Sequence, residues 1–175
     1  MKWHEYYFEM CRVIASKSKD TSTTVGCVIV GPDHEIRSTG YNDFPRGVKD
    51  YIVPMLGTPG DGLMTDEQKE IASRRERPLK YKWTEHAERN AIYNAARCGI
   101  ALKGCSLYCM SYPIPFFSCS DCARAIIQSG IIEVHFNFDP KKIPDRWKED
   151  NDIAKEMMIE SGVIVTNHFL SPCIN

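Results

Sequence analysis

The sequence has 175 residues and a mass of 20.0 kDa. That is the size of one compact domain, and we expect residues 1–175 to form a single domain. Hydrophobic residues make up 43% and charged residues 26%, which is close to globular averages and excludes a disordered or fibrous chain. The 22 basic and 23 acidic residues leave a net charge of −1. This balance excludes the broad basic surface of a general nucleic-acid-binding module and gives no reason to expect a membrane partner.

The cysteines and the N-terminal residues favour the cytoplasm. Charges are scattered through residues 1–20, so we expect no targeting segment, and no stretch approaches the roughly 18 apolar residues of a transmembrane helix. Most of the eight cysteines fall in predicted helices and strands, where we expect buried, reduced thiols: Cys11, Cys27, Cys98, Cys105 and Cys109. Reduced thiols are typical of cytoplasmic proteins.

The first half of the chain predicts a helix, a hairpin and a long insertion. A helix is expected over 2–18, because Trp3, Tyr7, Met10 and Ile14 recur on one face. Residues 25–31 and 36–41 read as hairpin strands joined by a turn. Residues 43–83 lack a clear period and contain prolines and the glycine-rich GTPGDG, so we expect a long loop insertion. Within it, a capping box at Thr65 predicts a short polar helix.

The second half alternates helices and strands. We predict helices over 84–98, 119–129 and 147–161, each ended by a glycine, with a cap at Thr84 on the first. Strands are predicted over 106–110, 132–138 and 163–166. Helices that alternate with strands after a hairpin indicate an α/β fold with a mixed, about five-stranded sheet and helices on both faces, in three α/β/α layers.

Two short motifs together indicate a metal site. His86 is followed, thirty-three residues later, by Cys119-x-x-Cys122. The two cysteines are neighbours on one helix face. We expect all three residues in first helical turns, where the dipole favours thiolates. One nitrogen and two sulfurs suit Zn²⁺ and leave the fourth position open for water. A structural zinc would need a fourth protein ligand, and Cys109 or His135 could supply it.

Glu88 is the predicted proton carrier of this site. It lies two residues after His86, about 200° around a helix, so the two side chains do not project in parallel. That offset suits a carboxylate that contacts a zinc-bound water and relays protons. The alternative is an acid at a helix start that the dipole stabilises.

Longer stretches around these motifs resemble a known family. The segments TEHAERNAI (84–92) and CSDCARAIIQSGI (119–131) resemble the zinc-dependent cytidine deaminase superfamily. The segments SKSKD (16–20), TTVGCVIV (23–30) and STGYNDFPRG (38–47) resemble its deoxycytidylate (dCMP) deaminase branch. The resemblance covers most of residues 3–138 and implies the cytidine deaminase-like fold. It also implies a homo-oligomer, from dimer to hexamer, that converts dCMP to dUMP and ammonia.

The same resemblance assigns the chemistry. It implies one catalytic Zn²⁺ on His86, Cys119 and Cys122, with Glu88 as the proton shuttle between the zinc-bound water and pyrimidine N3. The resulting hydroxide would attack C4, and the tetrahedral intermediate would expel ammonia.

Contacts to the substrate, a small pyrimidine deoxynucleotide, follow from the resemblance as well. The backbone N–H of Ala87 would hold pyrimidine O2, and Asn42 would contact the sugar 3′-hydroxyl. Ser18 and Lys19 would contact the 5′-phosphate. The alternatives are a turn residue for Asn42 and a solvated helix end for Ser18 and Lys19.

Three positions depart from the family pattern. Ser118 replaces the proline before Cys119 and follows the apolar YPIPFF (112–117), in which Phe116 and Phe117 would stack on a base or cover the site. Asp43 replaces a glycine of the regulated branch, so we do not expect dCTP or dTTP regulation of the usual kind. Arg89 replaces a commonly apolar residue and would face a phosphate or another subunit.

Two other functions remain open from the sequence. One is a nucleic-acid-editing deaminase, acting on tRNA adenosine or single-stranded cytosine, which needs a basic groove. The only candidate cations lie in one run: Arg74, Arg75, Arg77, Lys80 and Lys82. The other is a catalytically silent zinc-binding module, which would have no use for Glu88.

Overall fold

The computed structural model describes residues 1–50, 64–114 and 117–169. These residues divide into two compact units, one from residues 1–42 and 86–175 and the other from residues 43–85. The GTPGDG stretch and Phe116 lie outside the described residues. A single domain with an inserted loop therefore stays a prediction.

The larger unit contains a mixed five-stranded sheet with strand order β2-β1-β3-β4-β5. The strands are β1 (Thr24–Val30), β2 (Ile36–Tyr41), β3 (Ser106–Tyr112), β4 (Glu133–Phe136) and β5 (Ile164–Asn167). β1 pairs antiparallel with β2 and β3, whereas β3, β4 and β5 are parallel. The described chain also forms six α-helices: α1 (Trp3–Ala15), α2 (Asp66–Ser73), α3 (Lys80–Trp83), α4 (Ala87–Arg97), α5 (Ser120–Gln128) and α6 (Asp145–Glu160).

Helices cover both faces of the sheet. Alternate residues of a strand point to opposite faces, so Cys27 and Ile29 of β1 join the core under α4, α5 and α6. Val28 and Val30 join a second core under α1. The predicted three-layer α/β/α fold is therefore confirmed, with one helix on one face and three on the other. The glycines predicted to end α4, α5 and α6 all have positive φ angles, 67° to 81°, as expected after a helix.

The buried face of α1 overlaps only partly with the predicted one: Met10 and Ile14 are partly buried and pack against the core under α1. Tyr7, Phe8, Cys11 and Ala15 are buried, whereas Trp3 is 53% exposed and stacks on the ring of His34. The helix also ends at Ala15 instead of residue 18.

The cause of this difference is the glycine beneath α1. A Cβ atom on Gly26 would lie 1.9 Å from the backbone oxygen of Cys11, so the backbone of α1 sits directly on β1 along the Cys11 side.

The prediction that Cys98 is buried was wrong: this cysteine is exposed, at the C-terminus of α4. The prediction is confirmed for the other four cysteines, which are buried and free: Cys11, Cys27, Cys105 and Cys109.

The smaller unit contains α2 and α3. The capping box at Thr65 is confirmed, because its hydroxyl accepts a hydrogen bond from the N–H of Gln68 (3.2 Å). Asp43 and Glu85, the two ends of this unit, form a backbone bridge with N···O distances of 3.2 and 2.8 Å. The guanidinium of Arg75 pairs with Asp43 (2.8 Å) and Asp50 (2.7 Å), and all three side chains are largely buried.

No helix in the described part of the chain is long enough and apolar enough to span a membrane.

Candidate active site

The structure brings the three predicted ligands together. The Nδ1 atom of His86 lies 3.3 Å from the Sγ atom of Cys119 and 3.5 Å from that of Cys122. All three ligand atoms lie within 4.8 Å of one another. A tetrahedral zinc with ordinary bond lengths separates nitrogen from sulfur by about 3.6 Å and two sulfurs by about 3.8 Å. The donor set and its spacing therefore fit Zn²⁺.

Two helix N-termini carry these ligands. His86 is the N-cap residue of α4, with an extended backbone (φ −79°, ψ 154°). Cys119 is the N-cap of α5, and its sulfur accepts a hydrogen bond from the N–H of Cys122 (3.5 Å). The prediction that His86 and Cys119 lie in first helical turns was thus wrong by one position. Thr84 does not cap α4, because it ends α3 instead.

The pKa values follow from burial and from the contacts among the ligands. Hydrogen bonds from Cys122 and His86 lower the pKa of Cys119 to about 4, against the effect of burial. Burial alone would lower the pKa of His86, but the contact with Cys119 outweighs it and raises the pKa to about 9. The pKa of Cys122 is raised by its hydrogen bond to Cys119 and by burial. A divalent cation bound here would displace the protons of Cys122 and His86.

Glu88 is a fully buried carboxylate with no hydrogen-bond partner for either oxygen in the described chain. It is the second residue of α4. Burial raises its pKa, and the negative charge of Cys119 adds to the effect while His86 opposes it. A carboxylate left unpartnered at this depth is costly, so the site is built for a ligand that reaches Glu88. Because His86 precedes the helix, the predicted 200° helical offset between the two residues does not apply.

Neither candidate for a fourth protein ligand joins the group. Among the described residues, the cluster contains only His86, Cys119 and Cys122. His135 stacks on Tyr108, which belongs to the core under α1, on the other face of the sheet. Three protein ligands leave one tetrahedral position for water or substrate, which is the pattern of a catalytic zinc site.

The residues predicted to contact the nucleotide form two sets. Ala87 is the first residue of α4, so its N–H has no acceptor within the helix. Ser18 and Asn42 lie together, since the hydroxyl of Ser18 donates to the backbone oxygen of Asn42 (2.6 Å). Lys19 is exposed in the loop after α1.

The side chain of Asn42 is buried and has structural partners. Its Oδ1 accepts from the N–H of Val25 (2.7 Å), and its Nδ2 donates to the backbone oxygen of Thr23 (2.9 Å). These bonds tie the end of β2 to the start of β1. The Oδ1 atom keeps capacity for one further donor, so a contact with a sugar hydroxyl stays a prediction.

Two further predicted residues have protein partners in the structure. Phe117 is buried in the core, with its ring centroid 4.5 Å from that of Phe136. Arg89 of α4 lies 3.4 Å from the carboxylate of Asp121 of α5. Sequence reasoning missed Asp150 and Asn151 of α6, which bind the segment around Cys119. Nothing in the sequence places a helix thirty residues away beside that segment.

A family model and relatives from Aliivibrio fischeri and human match this chain in sequence. The sequence model described as the cytidine and deoxycytidylate deaminase zinc-binding region matches residues 1–138. The chain is 35% identical over 165 residues to a protein of Aliivibrio fischeri described as an uncharacterized deaminase in the luxG 3′ region, covering 94% of this chain and 92% of that one. It is 32% identical over 174 residues to the human deoxycytidylate deaminase, covering 99% and 83%.

Solved structures show the same fold. The apo crystal structure of the dCMP deaminase from cyanophage S-TIM5 matches with a TM-score of 0.58 at 20% identity, covering 95% of this chain and 99% of that one. The structure of that enzyme in complex with dCMP and dUMP matches with a TM-score of 0.57 at 22% identity, covering 95% and 98%.

Proposed function

The chain belongs to the cytidine and deoxycytidylate deaminase family, and from this we propose that it catalyses the hydrolytic deamination of dCMP to dUMP and ammonia. The observation that supports the proposal best is the buried, unpartnered carboxylate of Glu88 beside a His-Cys-Cys group. Relatives at 32–35% identity that span nearly the whole chain carry the deaminase name.

His86, Cys119 and Cys122 would hold one zinc ion. Zinc bound there supplies a Lewis acid that lowers the pKa of water to about 7. Glu88 takes a proton from the attacking water and delivers it to N3 of the pyrimidine, while the oxygen adds to C4. The remaining hydroxyl proton passes through Glu88 to the amino group, which leaves as ammonia. Because burial raises its pKa, Glu88 is suited to hold a proton between these transfers.

Backbone and side-chain groups would orient the nucleotide. The N–H of Ala87 at the start of α4 donates to pyrimidine O2, where the helix dipole also favours a partly negative oxygen. Asn42 accepts from the sugar 3′-hydroxyl through its remaining Oδ1 capacity, and the adjacent Ser18 and Lys19 face the 5′-phosphate.

Nucleic-acid editing is not favoured. The predicted basic run is not one exposed cationic face: Arg75 is held between two aspartates, and Lys80 is buried. Arg74 pairs with Glu70 (3.4 Å) and lies over the ring of Trp83 (4.3 Å). A groove that binds a strand needs cations free to meet phosphates.

We also propose a cytoplasmic homo-oligomer of two to six copies. Six buried free cysteines among the described residues, four of them outside the His-Cys-Cys group, are consistent with a reducing compartment. Light scattering on the purified protein tests the oligomer, because a monomer mass of 20.0 kDa at micromolar concentration would overturn it.

The activity test uses the zinc-loaded full chain and the absorbance change that accompanies conversion of cytosine to uracil. We expect turnover of dCMP, with weaker turnover of cytidine and dCTP, and none after zinc is removed by a chelator. Absence of turnover with all three substrates rejects the proposal. Preferred turnover of a single-stranded oligonucleotide supports the editing alternative instead.

A further inference from the structure

Helix α6 binds the segment that leads into Cys119. The side chain of Asn151 is almost fully buried and makes two hydrogen bonds to this segment. Its Oδ1 accepts from the N–H of Phe117 (3.3 Å), and its Nδ2 donates to the backbone oxygen of Ser118 (3.1 Å). The neighbouring Asp150 accepts from the N–H of Ser120 (3.1 Å) through Oδ2. Two adjacent residues of α6 therefore bind three backbone groups on either side of Cys119.

These contacts determine where the sulfur of Cys119 lies. Cys119 is an N-cap residue with an extended backbone (φ −82°, ψ 163°). The N–H of Ala123 holds its carbonyl oxygen (2.9 Å), whereas the backbone before Cys119 lies outside α5 and is bound by Asn151. Ser120 is the first residue of α5, and Asp150 accepts from one of the N–H groups that a helix leaves unpaired. A carboxylate at this end is also favoured by the helix dipole. Zinc bonds have narrow lengths, about 2.0–2.1 Å to nitrogen and about 2.3 Å to sulfur, so small shifts of this segment matter.

We infer that Asp150 and Asn151 are positioning residues for the metal site, which set Cys119 at the distance from His86 and Cys122 that a zinc ion requires. They act through the backbone and touch neither the metal nor the substrate. The match to the family's zinc-binding region ends at residue 138, whereas α6 begins at Asp145. The inference rests on the proposed function, because it takes Cys119 to be a zinc ligand.

Matched variants of the full chain test the inference. Asn151→Asp keeps the size of the side chain but places an acceptor against the backbone oxygen of Ser118. Asp150→Ala removes the acceptor for Ser120, whereas Asp150→Asn retains an oxygen there and should restore the parent behaviour. Asp152→Ala is the control for Asp150→Ala, because Asp152 is the exposed next-but-one neighbour on α6. Met158→Ala, in the buried core of the same helix, controls for general loss of stability.

The readouts are zinc affinity, by competition with a chelating dye, and the thiolate-to-metal charge-transfer absorption of the cobalt-substituted protein. We expect Asn151→Asp and Asp150→Ala to lower zinc affinity about 10- to 100-fold, the usual effect of removing an outer partner of a metal ligand, and to change the cobalt spectrum. Asp150→Asn and Asp152→Ala should stay within about twofold of the parent. Met158→Ala should lower the melting temperature and keep the cobalt spectrum.

The results distinguish failure of the positioning role from failure of the proposed function. If Asn151→Asp and Asp150→Ala bind zinc as tightly as the parent with unchanged cobalt spectra, the inference is overturned while the proposed function stands. If the parent itself binds neither metal, the proposed function fails with it. Should Asn151→Asp not fold, the comparison of Asp150→Ala with Asp150→Asn decides alone.

Discussion

Glu88→Gln should make the protein more stable and nearly inactive. The carboxylate is fully buried, and neither oxygen has a hydrogen-bond partner in the described chain. An unpaired buried polar group costs about 1–3 kcal/mol, more when it is charged. Glutamine has nearly the same shape and removes the ionised form. The glutamine amide is still an unpaired polar group, so only the extra cost of the charge is removed, and we expect a gain of about 1 kcal/mol, which raises the melting temperature by roughly 2–4 °C.

Turnover should respond in the opposite direction. A positioned proton carrier contributes about 100- to 10,000-fold to a rate, and glutamine cannot carry a proton between water and N3. The assay pairs dCMP turnover and zinc content, measured on the zinc-loaded protein, with urea unfolding of the zinc-free protein, in which Glu88 has no zinc-bound water as a partner. Glu156→Gln, an exposed change on α6, should leave all three within error.

Two results would refute this reasoning. A Glu88→Gln variant that keeps parent turnover shows that the carboxylate carries no proton, whereas a catalytically silent zinc-binding module would show no turnover in either protein. A variant that is inactive but less stable than the parent shows that the carboxylate has a stabilising partner in the folded protein. Zinc content must stay at the parent value in either case, because Glu88 lies outside the ligand group.

Three further changes test contacts elsewhere in the two units. Arg75→Ala removes the guanidinium that pairs with two largely buried aspartates and should cost about 3–5 kcal/mol in urea unfolding; a loss below about 1 kcal/mol would show that the pairs are solvated. Gly40→Ala places a Cβ atom 2.3 Å from the backbone oxygen of Ala87 and should cost about 1–3 kcal/mol and weaken zinc binding, whereas unchanged values would show that α4 does not rest on β2. Burial lowers the pKa of both His135 and His168, so the unfolded chain binds protons first and the free energy of unfolding falls as pH drops below about 6.5. His168→Asn should flatten that fall between pH 7 and 5, and an unchanged slope would contradict the assignment.

The three layers of the fold and the three metal-ligand residues could be predicted because each depends on a pattern within a short stretch of sequence. The short valine-rich run of β1 predicts a buried strand, and the glycines after three helices mark where those helices end, whatever lies around them. The Cys-x-x-Cys spacing likewise places two sulfurs at one helix start. The face of α1 could not be predicted, since Gly26 decides how closely that helix approaches the sheet. The apolar periodicity of a helix carries no information about a glycine on the strand that the helix packs against.

The residues that bind the backbone around the site could not be predicted, for a related reason. The side chain of Asn151 binds backbone atoms, and a backbone carbonyl leaves no trace in the sequence of the segment that carries it. The same holds for Asn42, whose partners are the backbone groups of Val25 and Thr23. The family resemblance predicts a substrate contact for this asparagine, whereas the structure shows that it joins two strands.

The geometry of the metal site depends on how two helix N-termini are placed relative to each other. Both sulfur ligands belong to the start of α5, where α6 also holds the backbone on both sides of Cys119, whereas His86 moves with α4. Gly40 fixes α4 on β2, the Arg89–Asp121 pair joins α4 to α5, and Asp150 with Asn151 joins α5 to α6. A ligand that binds only the folded state stabilises it. We therefore expect the binding free energy of zinc to stabilise the contact between the N-termini of α4 and α5. Loss of the α6 contacts should therefore lower the metal affinity more than it lowers the stability of the sheet. Asn151→Asp should mainly weaken zinc binding, whereas Met158→Ala should mainly lower the melting temperature.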